Sequence, residues 1–183
     1  YDRMLDVMPT LLSHGCSYGE EGGFLKRVVE GTWAGHVIEH FALELQTLAG
    51  MDTGYGRTRE TSEKGIYNVV YSYLEEEVGR FAGRTAVRLW LDLAEGKDLA
   101  EIKEGIAKDI QEMREIRENV RFGPSTGSLV DEADHRDIPF IRLNDQSLVQ
   151  LGYGVHQKRI QATTTVNTNM ISVDIAGNKH ATK

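Results

Sequence analysis

At 183 residues, 40% hydrophobic and 27% charged, the chain has an ordinary soluble composition with enough apolar material for one sizeable core or two small ones. Its formal net charge of −7 argues against a nucleic-acid partner, and no apolar run approaches the roughly 20 residues of a membrane-spanning helix. Cys16 is the single cysteine, which leaves no internal disulfide and no thiolate metal cluster and suits a reducing compartment, the cytoplasm.

From the start, residues 2–13 form a short amphipathic segment interrupted by Pro9, and residues 18–23 form a Gly/Glu turn. A long helix follows. Thr32 after Gly31 is its expected N-cap, Val37, Ile38, Phe41, Leu45 and Leu48 keep helical spacing, and Gly50 is the expected stop. Residues 54–61 and 66–73 then pair as a β-hairpin across 62–65. On the first strand Arg57 and Arg59 alternate with Thr58, so both guanidinium groups share a face, either as a carboxylate clamp or as charge protecting an edge strand.

Glu75-Glu76-Glu77 opens a helix that runs through residues 78–94, and residues 98–118 repeat Leu99, Ile102, Ile106, Ile110 and Met113 as a second amphipathic helix. After Arg121 the pattern changes. A turn-rich junction at 122–127 leads to a helix over 128–136, a strand over 138–143 and extended segments near 148–154 and 155–165. That alternation reads as α/β, with Gly152 and Gly154 in a turn, since no Gly-Lys-Ser/Thr follows them to make a phosphate loop. At most one of the adjacent Lys158 and Arg159 faces any one ligand.

The chemistry is concentrated at His36-Val37-Ile38-Glu39-His40. Spacing of i, i+4 on a helix puts both imidazoles on one face, one turn apart, with Glu39 beside them. Two imidazole nitrogens suit Zn²⁺, and a carboxylate that does not bind the ion is free to take a proton from a water that the ion acidifies. His-x-x-Glu-His is the order of the inverted zinc peptidases, although the same residues also suit a solvated helix face with no ion. A catalytic zinc needs a third protein ligand. The nearest dense acidic cluster supplies Glu76 as the first candidate, although acids in a first helical turn also serve the helix dipole.

Several runs carry a resemblance over almost the whole chain: 22–25 (Gly-Gly-Phe-Leu), 35–40, 42–46, 56–61, 67–71, 123–126 and 148–163. With these the chain resembles the cyanophycin synthetases, which build multi-L-arginyl-poly-L-aspartate without a ribosome. The resemblance implies an α+β amino-terminal domain over residues 1–121, with a β-hairpin and long helices, followed over 122–183 by the opening α/β segment of an ATP-grasp domain. It implies a cytoplasmic, homo-oligomeric parent that is an ATP- and Mg²⁺-dependent amide ligase, adding aspartate and arginine in turn through acyl phosphates. The ligase sites are expected beyond Lys183, just as residues are expected upstream of Tyr1, which is not a Met.

For the amino-terminal domain, the resemblance implies a zinc site that cuts the polymer into primers. His36, His40 and a downstream Glu would bind zinc, Glu39 would act as general base, and Arg57 and Arg59 would hold polymer carboxylates. The alternative is a metal-free domain that only docks polymer. Two departures from the family pattern are Ser72, where relatives carry Glu, and Gly177-Asn178, where Cys-Asp is expected.

Overall fold

Proline has no N–H to give to a helix interior, and the first helix ends ahead of Pro9: α1 (Asp2–Val7) stops and a 3₁₀ turn, Pro9–Ser13, takes over. This is seen in a computed structural model that describes residues 1–178 and 180. A second 3₁₀ turn, Cys16–Tyr18, leads into α2 (Gly23–Glu30). The long helix α3 spans Ala34–Leu48. Its N-cap is Trp33 rather than Thr32, and the chain leaves it through Gly50, whose φ of 88° is the left-handed geometry of a helix stop.

β1 (Gly56–Glu60) and β2 (Tyr67–Tyr71) pair antiparallel, with Thr58 opposite Val69. The period-2 alternation turns Thr58 inward, where it is buried, and leaves Arg57 and Arg59 exposed. α4 (Glu76–Ala94) follows, and α3 packs against both α4 and the hairpin. The run from Glu39 to Gln46 is buried without a break, so α3 is the central helix of this unit rather than a surface one. Phe24, Phe41, Leu45, Met51, Val78, Ala82, Leu89 and Met113 form the core, each large side chain contributing about 1.5–3 kcal/mol by leaving water. The Tyr71 hydroxyl donates to the Gly79 carbonyl at 2.9 Å and ties β2 to α4.

α5 (Leu99–Val120) is the amphipathic helix that the apolar repeat indicates. The Asp98 carboxylate accepts from the backbone N–H groups of Ala100 and Glu101 at its start, and Ile102, Ile106 and Met113 are buried. Arg114 of α5 donates to the Leu48 carbonyl at the C-terminal end of α3.

The chain divides into two units, Tyr1–Asn119 and Val120–Lys183. The second begins with α6 (Pro124–His135), which starts four residues earlier than expected because Pro124 fits the first helical turn, where no N–H is needed. A four-stranded antiparallel sheet follows in the order β3 (Phe140–Arg142), β4 (Leu148–Leu151), β5 (Lys158–Gln161), β6 (Thr164–Thr165). Val130, Val149 and Ile160 make its small core with Phe122 and Leu151. Arg142 stacks over Phe122 and donates to the Asn144 and Gln146 carbonyls, fixing the β3–β4 turn. Gly152 and Gly154 have positive φ in a turn, and Lys158 and Arg159 are exposed. α7 (Met170–Gly177) is capped by the Asn169 side chain; Lys179, next to the Gly177-Asn178 departure, lies outside the described residues.

Helices with small antiparallel sheets make this a mixed α/β fold, the class expected. Among the described residues, no helix is long and apolar enough to cross a membrane.

Candidate functional site

The first two turns of α3 hold His36, Glu39 and His40, and the rings of His36 and His40 lie edge to face with centroids 4.8 Å apart. Glu39 and His40 are buried and His36 is half-buried, so this is not a fully solvated face. His40 is 6% and Glu39 4% exposed, and Phe24 stacks on His40 at 4.0 Å while meeting His36 edge-on at 5.8 Å. Burial, with the neighbouring His36 and His14, pushes His40 down to about 3. Burial and the Arg27 guanidinium also lower His36, so both imidazoles are neutral at neutral pH, the state a metal ligand requires.

Glu39 points toward the hairpin, where the Thr58 hydroxyl donates to its Oε2 at 2.6 Å. Burial raises the pKa of this carboxyl, and the Thr58 hydrogen bond and the Arg59 and Arg57 charges pull it back down. Gly56 leaves the space that Glu39 fills. A cleft of about 740 Å³ opens over this face of α3, lined by His36, Glu39, His40, Arg27, Arg57 and Arg59 among others. Arg57 and Arg59 thus face the same cavity as the α3 motif, with Arg59 also donating to the Thr58 carbonyl.

Glu76 does not join them. Its carboxylate is exposed at the start of α4 and pairs with Arg80 one turn later at 3.6 Å, the helix-stabilising use open to an acid in a first turn. Ser72 is occupied as well: its hydroxyl accepts from the Tyr55 N–H and its own N–H donates to the Tyr55 carbonyl, which prolongs the hairpin. The third group beside the imidazoles is instead Cys16, whose Sγ stands 3.2 Å from His36 Nε2. Among the described residues, Cys16, His36 and His40 are the one set of three such side chains with ligand atoms all within 4.8 Å of one another.

That donor set fits zinc. Ligand atoms around one tetrahedral zinc stand roughly 3–4 Å apart, given bonds of about 2.0–2.3 Å, and one thiolate with two imidazoles leaves the fourth position open. A single cysteine excludes a thiolate cluster but not a mixed site of this kind.

Neither Cys16 nor its neighbour His14 stood out in the sequence, because they come from turns some twenty residues ahead of the motif. They reach it through a close backbone approach: a Cβ at Gly23 would lie 2.0 Å from the Gly15 carbonyl oxygen, so only glycine lets that turn lie against α2. The Phe24 N–H donates to the His14 carbonyl at 2.9 Å and holds it there. His14 in turn contacts His40, Nδ1 to Nδ1 at 2.8 Å, and Glu44 at 2.6 Å; Thr32 bonds His36 Nδ1 at 2.8 Å instead of capping the helix.

Residues 1–94 match the family model of the cyanophycin synthase-like N-terminal domain. The chain is 50% identical over all its 183 residues to the cyanophycin synthetase of Synechocystis sp., and 49% identical to those of Crocosphaera subtropica and Trichormus variabilis. It spans only 20–21% of the length of these relatives. With half of its residues matched by the family model, the chain belongs to the cyanophycin synthase-like N-terminal domain family.

Proposed function

We propose that the first unit is a zinc-dependent hydrolase that shortens multi-L-arginyl-poly-L-aspartate chains, carried by a longer protein that synthesises the same polymer. The observation that carries this reading is the convergence of Cys16, His36 and His40 in a cleft that Glu39 also lines. In it, His36, His40 and Cys16 would hold the ion, with Cys16 in the role first given to Glu76. Zinc bound there would supply Lewis acidity toward water and toward a carbonyl.

The remaining steps belong to the chain's own side chains. Thr58 occupies Glu39 Oε2 and fixes the carboxylate's direction, which leaves Oε1 to accept a proton from the attacking water. As the water oxygen bonds to the amide carbon and the C–N bond breaks, Glu39 returns that proton to the leaving nitrogen. Burial helps the return, because a carboxyl with a raised pKa holds the proton long enough to deliver it. Arg57 and Arg59 bind the free carboxylates of the polymer, and Arg27, from α2, adds a third positive charge to the same cleft.

The parent reading rests on the relatives' name and on identity that extends across both units. Residues 122–183 then open an ATP-grasp domain, and the whole protein uses ATP and Mg²⁺ to join aspartate and arginine in the cytoplasm as a homo-oligomer.

The test is direct. The purified chain should hold one zinc per molecule and shorten cyanophycin on a denaturing gel, and Glu39→Gln should abolish shortening while keeping the zinc. Polymer binding without zinc, unchanged by Glu39→Gln, would leave only a docking domain.

A further inference from the structure

We infer that His14 and Glu44 form a one-way hydrogen-bond relay that fixes the tautomer and direction of His40, which makes His14 a positioning residue for the cation site. This rests on the metal reading above and adds to it two residues that the proposed chemistry does not use.

The geometry is a chain of two short contacts. His40 Nδ1 and His14 Nδ1 are 2.8 Å apart, and His14 Nε2 is 2.6 Å from Glu44 Oε2. Glu44 is one helical turn beyond His40 on α3, so both project toward the same side, and His14 bridges them from the preceding turn. Glu44 is 3% exposed. A carboxylate that deeply buried needs donors, and His14 is the donor it has on this side.

Proton accounting gives the relay its direction. Two facing Nδ1 atoms share one proton, so one ring donates and the other accepts. If His14 donates, it carries protons on both nitrogens, and a neutral His40 has its own proton on Nε2, where it cannot bind a cation. If His40 donates, His14 accepts at Nδ1, donates from Nε2 to Glu44, and leaves the His40 Nε2 lone pair free. Only the second arrangement is compatible with ligation, and it matches every donor to an acceptor without charging either ring.

His36 repeats the arrangement with a simpler partner. Its Nδ1 is held by the Thr32 hydroxyl at 2.8 Å, and its Nε2 is the nitrogen that faces Cys16 Sγ at 3.2 Å. Both imidazoles are therefore anchored at Nδ1 and offer Nε2. The His40 anchor is the stronger, because it ends on a carboxylate that makes each donor in turn more electron-rich.

The test is titration of the purified chain with Co²⁺ alone at neutral pH, followed by its visible absorption, with far-UV circular dichroism as the folding control. His14→Ala should weaken Co²⁺ binding about 10- to 100-fold with the fold retained. Glu44→Gln should weaken it less, since an amide oxygen still accepts from His14 without the charge, and this variant guards against misfolding of the first. Because the two act in series, the double variant should bind no more weakly than His14→Ala alone. Affinity within twofold of the parent in His14→Ala, or additive losses in the double variant, would overturn the relay while leaving the cation site standing. Failure of the unsubstituted chain to take up Co²⁺ would overturn the site and the relay together.

Discussion

A Cβ atom at Gly56 would lie 2.4 Å from Glu39 Oε1 and 2.7 Å from the carboxyl carbon, so the first residue of β1 is glycine because the Glu39 side chain occupies that space. Gly56→Ala should therefore displace the carboxylate rather than merely stiffen the strand. The expected cost is about 1–3 kcal/mol of stability from overpacking. Polymer cleavage should fall about 100-fold, because a proton acceptor moved by an ångström no longer reaches its water. Urea denaturation and a cleavage assay on the same preparation measure both, and an active, fully stable Gly56→Ala would show that Glu39 does not need this position.

Thr58 holds the other oxygen of the same carboxylate, and Thr58→Val removes the hydroxyl with little change of shape. A hydrogen bond to a buried acid contributes about 1.5–3 kcal/mol, so the urea midpoint should drop accordingly. The pH dependence has a definite sign. The hydroxyl favours the ionised carboxylate, so losing it raises the Glu39 pKa further, and a base that must be deprotonated then works only at higher pH. The acid limb of the cleavage profile should move upward, and a downward or absent shift would remove Glu39 from the role of base.

The Tyr71–Gly79 hydrogen bond gives the scaffold its own pH signature. Burial raises the Tyr71 pKa above 10.0 in the folded chain. Below pH 10 the phenol is protonated in both folded and unfolded chains, and its contribution is fully present. Above that, the unfolded chain ionises Tyr71 first, so stability declines as pH rises until the folded pKa is passed. Tyr71→Phe should lose about 1 kcal/mol at neutral pH and lose less than the parent between pH 10 and 12. Equal slopes for the two proteins in that range would place no titration at Tyr71.

How much of this could be read from the sequence depended on how local each cause was. The α3 motif was legible because helical period alone sets the mutual position of residues 36, 39 and 40, and the hairpin because a β-branched, aromatic run follows the glycine-bearing turn at 62–65. Arg57 and Arg59 could be assigned to one side of a strand, although not to a cleft. Glu76 carried two meanings that a sequence cannot separate, and the helix-terminal one is seen in its pairing with Arg80. Thr32 is equally suited to capping a helix and to bonding an imidazole, and it does the second. Cys16 and His14 were invisible because nothing periodic links a 3₁₀ turn to a helix twenty residues later. Their proximity depends on the glycine contact at Gly15 and Gly23, which is a fact of packing. The start of α6 was set too late because Gly123-Pro124 reads as a junction, whereas proline is at home in a first helical turn.

Phe24 joins core to site, and substituting it should separate the two roles. Its ring is fully buried, stacks on His40 at an interplanar angle of 24° and meets His36 edge-on. Phe24→Ala should cost about 3–5 kcal/mol through the cavity it leaves, which risks the fold itself. Phe24→Leu keeps most of the volume at a cost on the order of 1 kcal/mol, but it removes the flat surface that holds the His40 ring in plane. Zinc should then bind about tenfold more weakly, as it does when other supports of a ligand are lost. Leu89→Ala is the control, since Leu89 is 2% exposed on α4 and carries no aromatic ring to stack on a histidine. It should lose about 2–5 kcal/mol and leave the zinc affinity of the folded protein unchanged. Equal zinc affinity in Phe24→Leu and Leu89→Ala would mean that Phe24 supports the core alone and that the imidazoles are held by their hydrogen bonds.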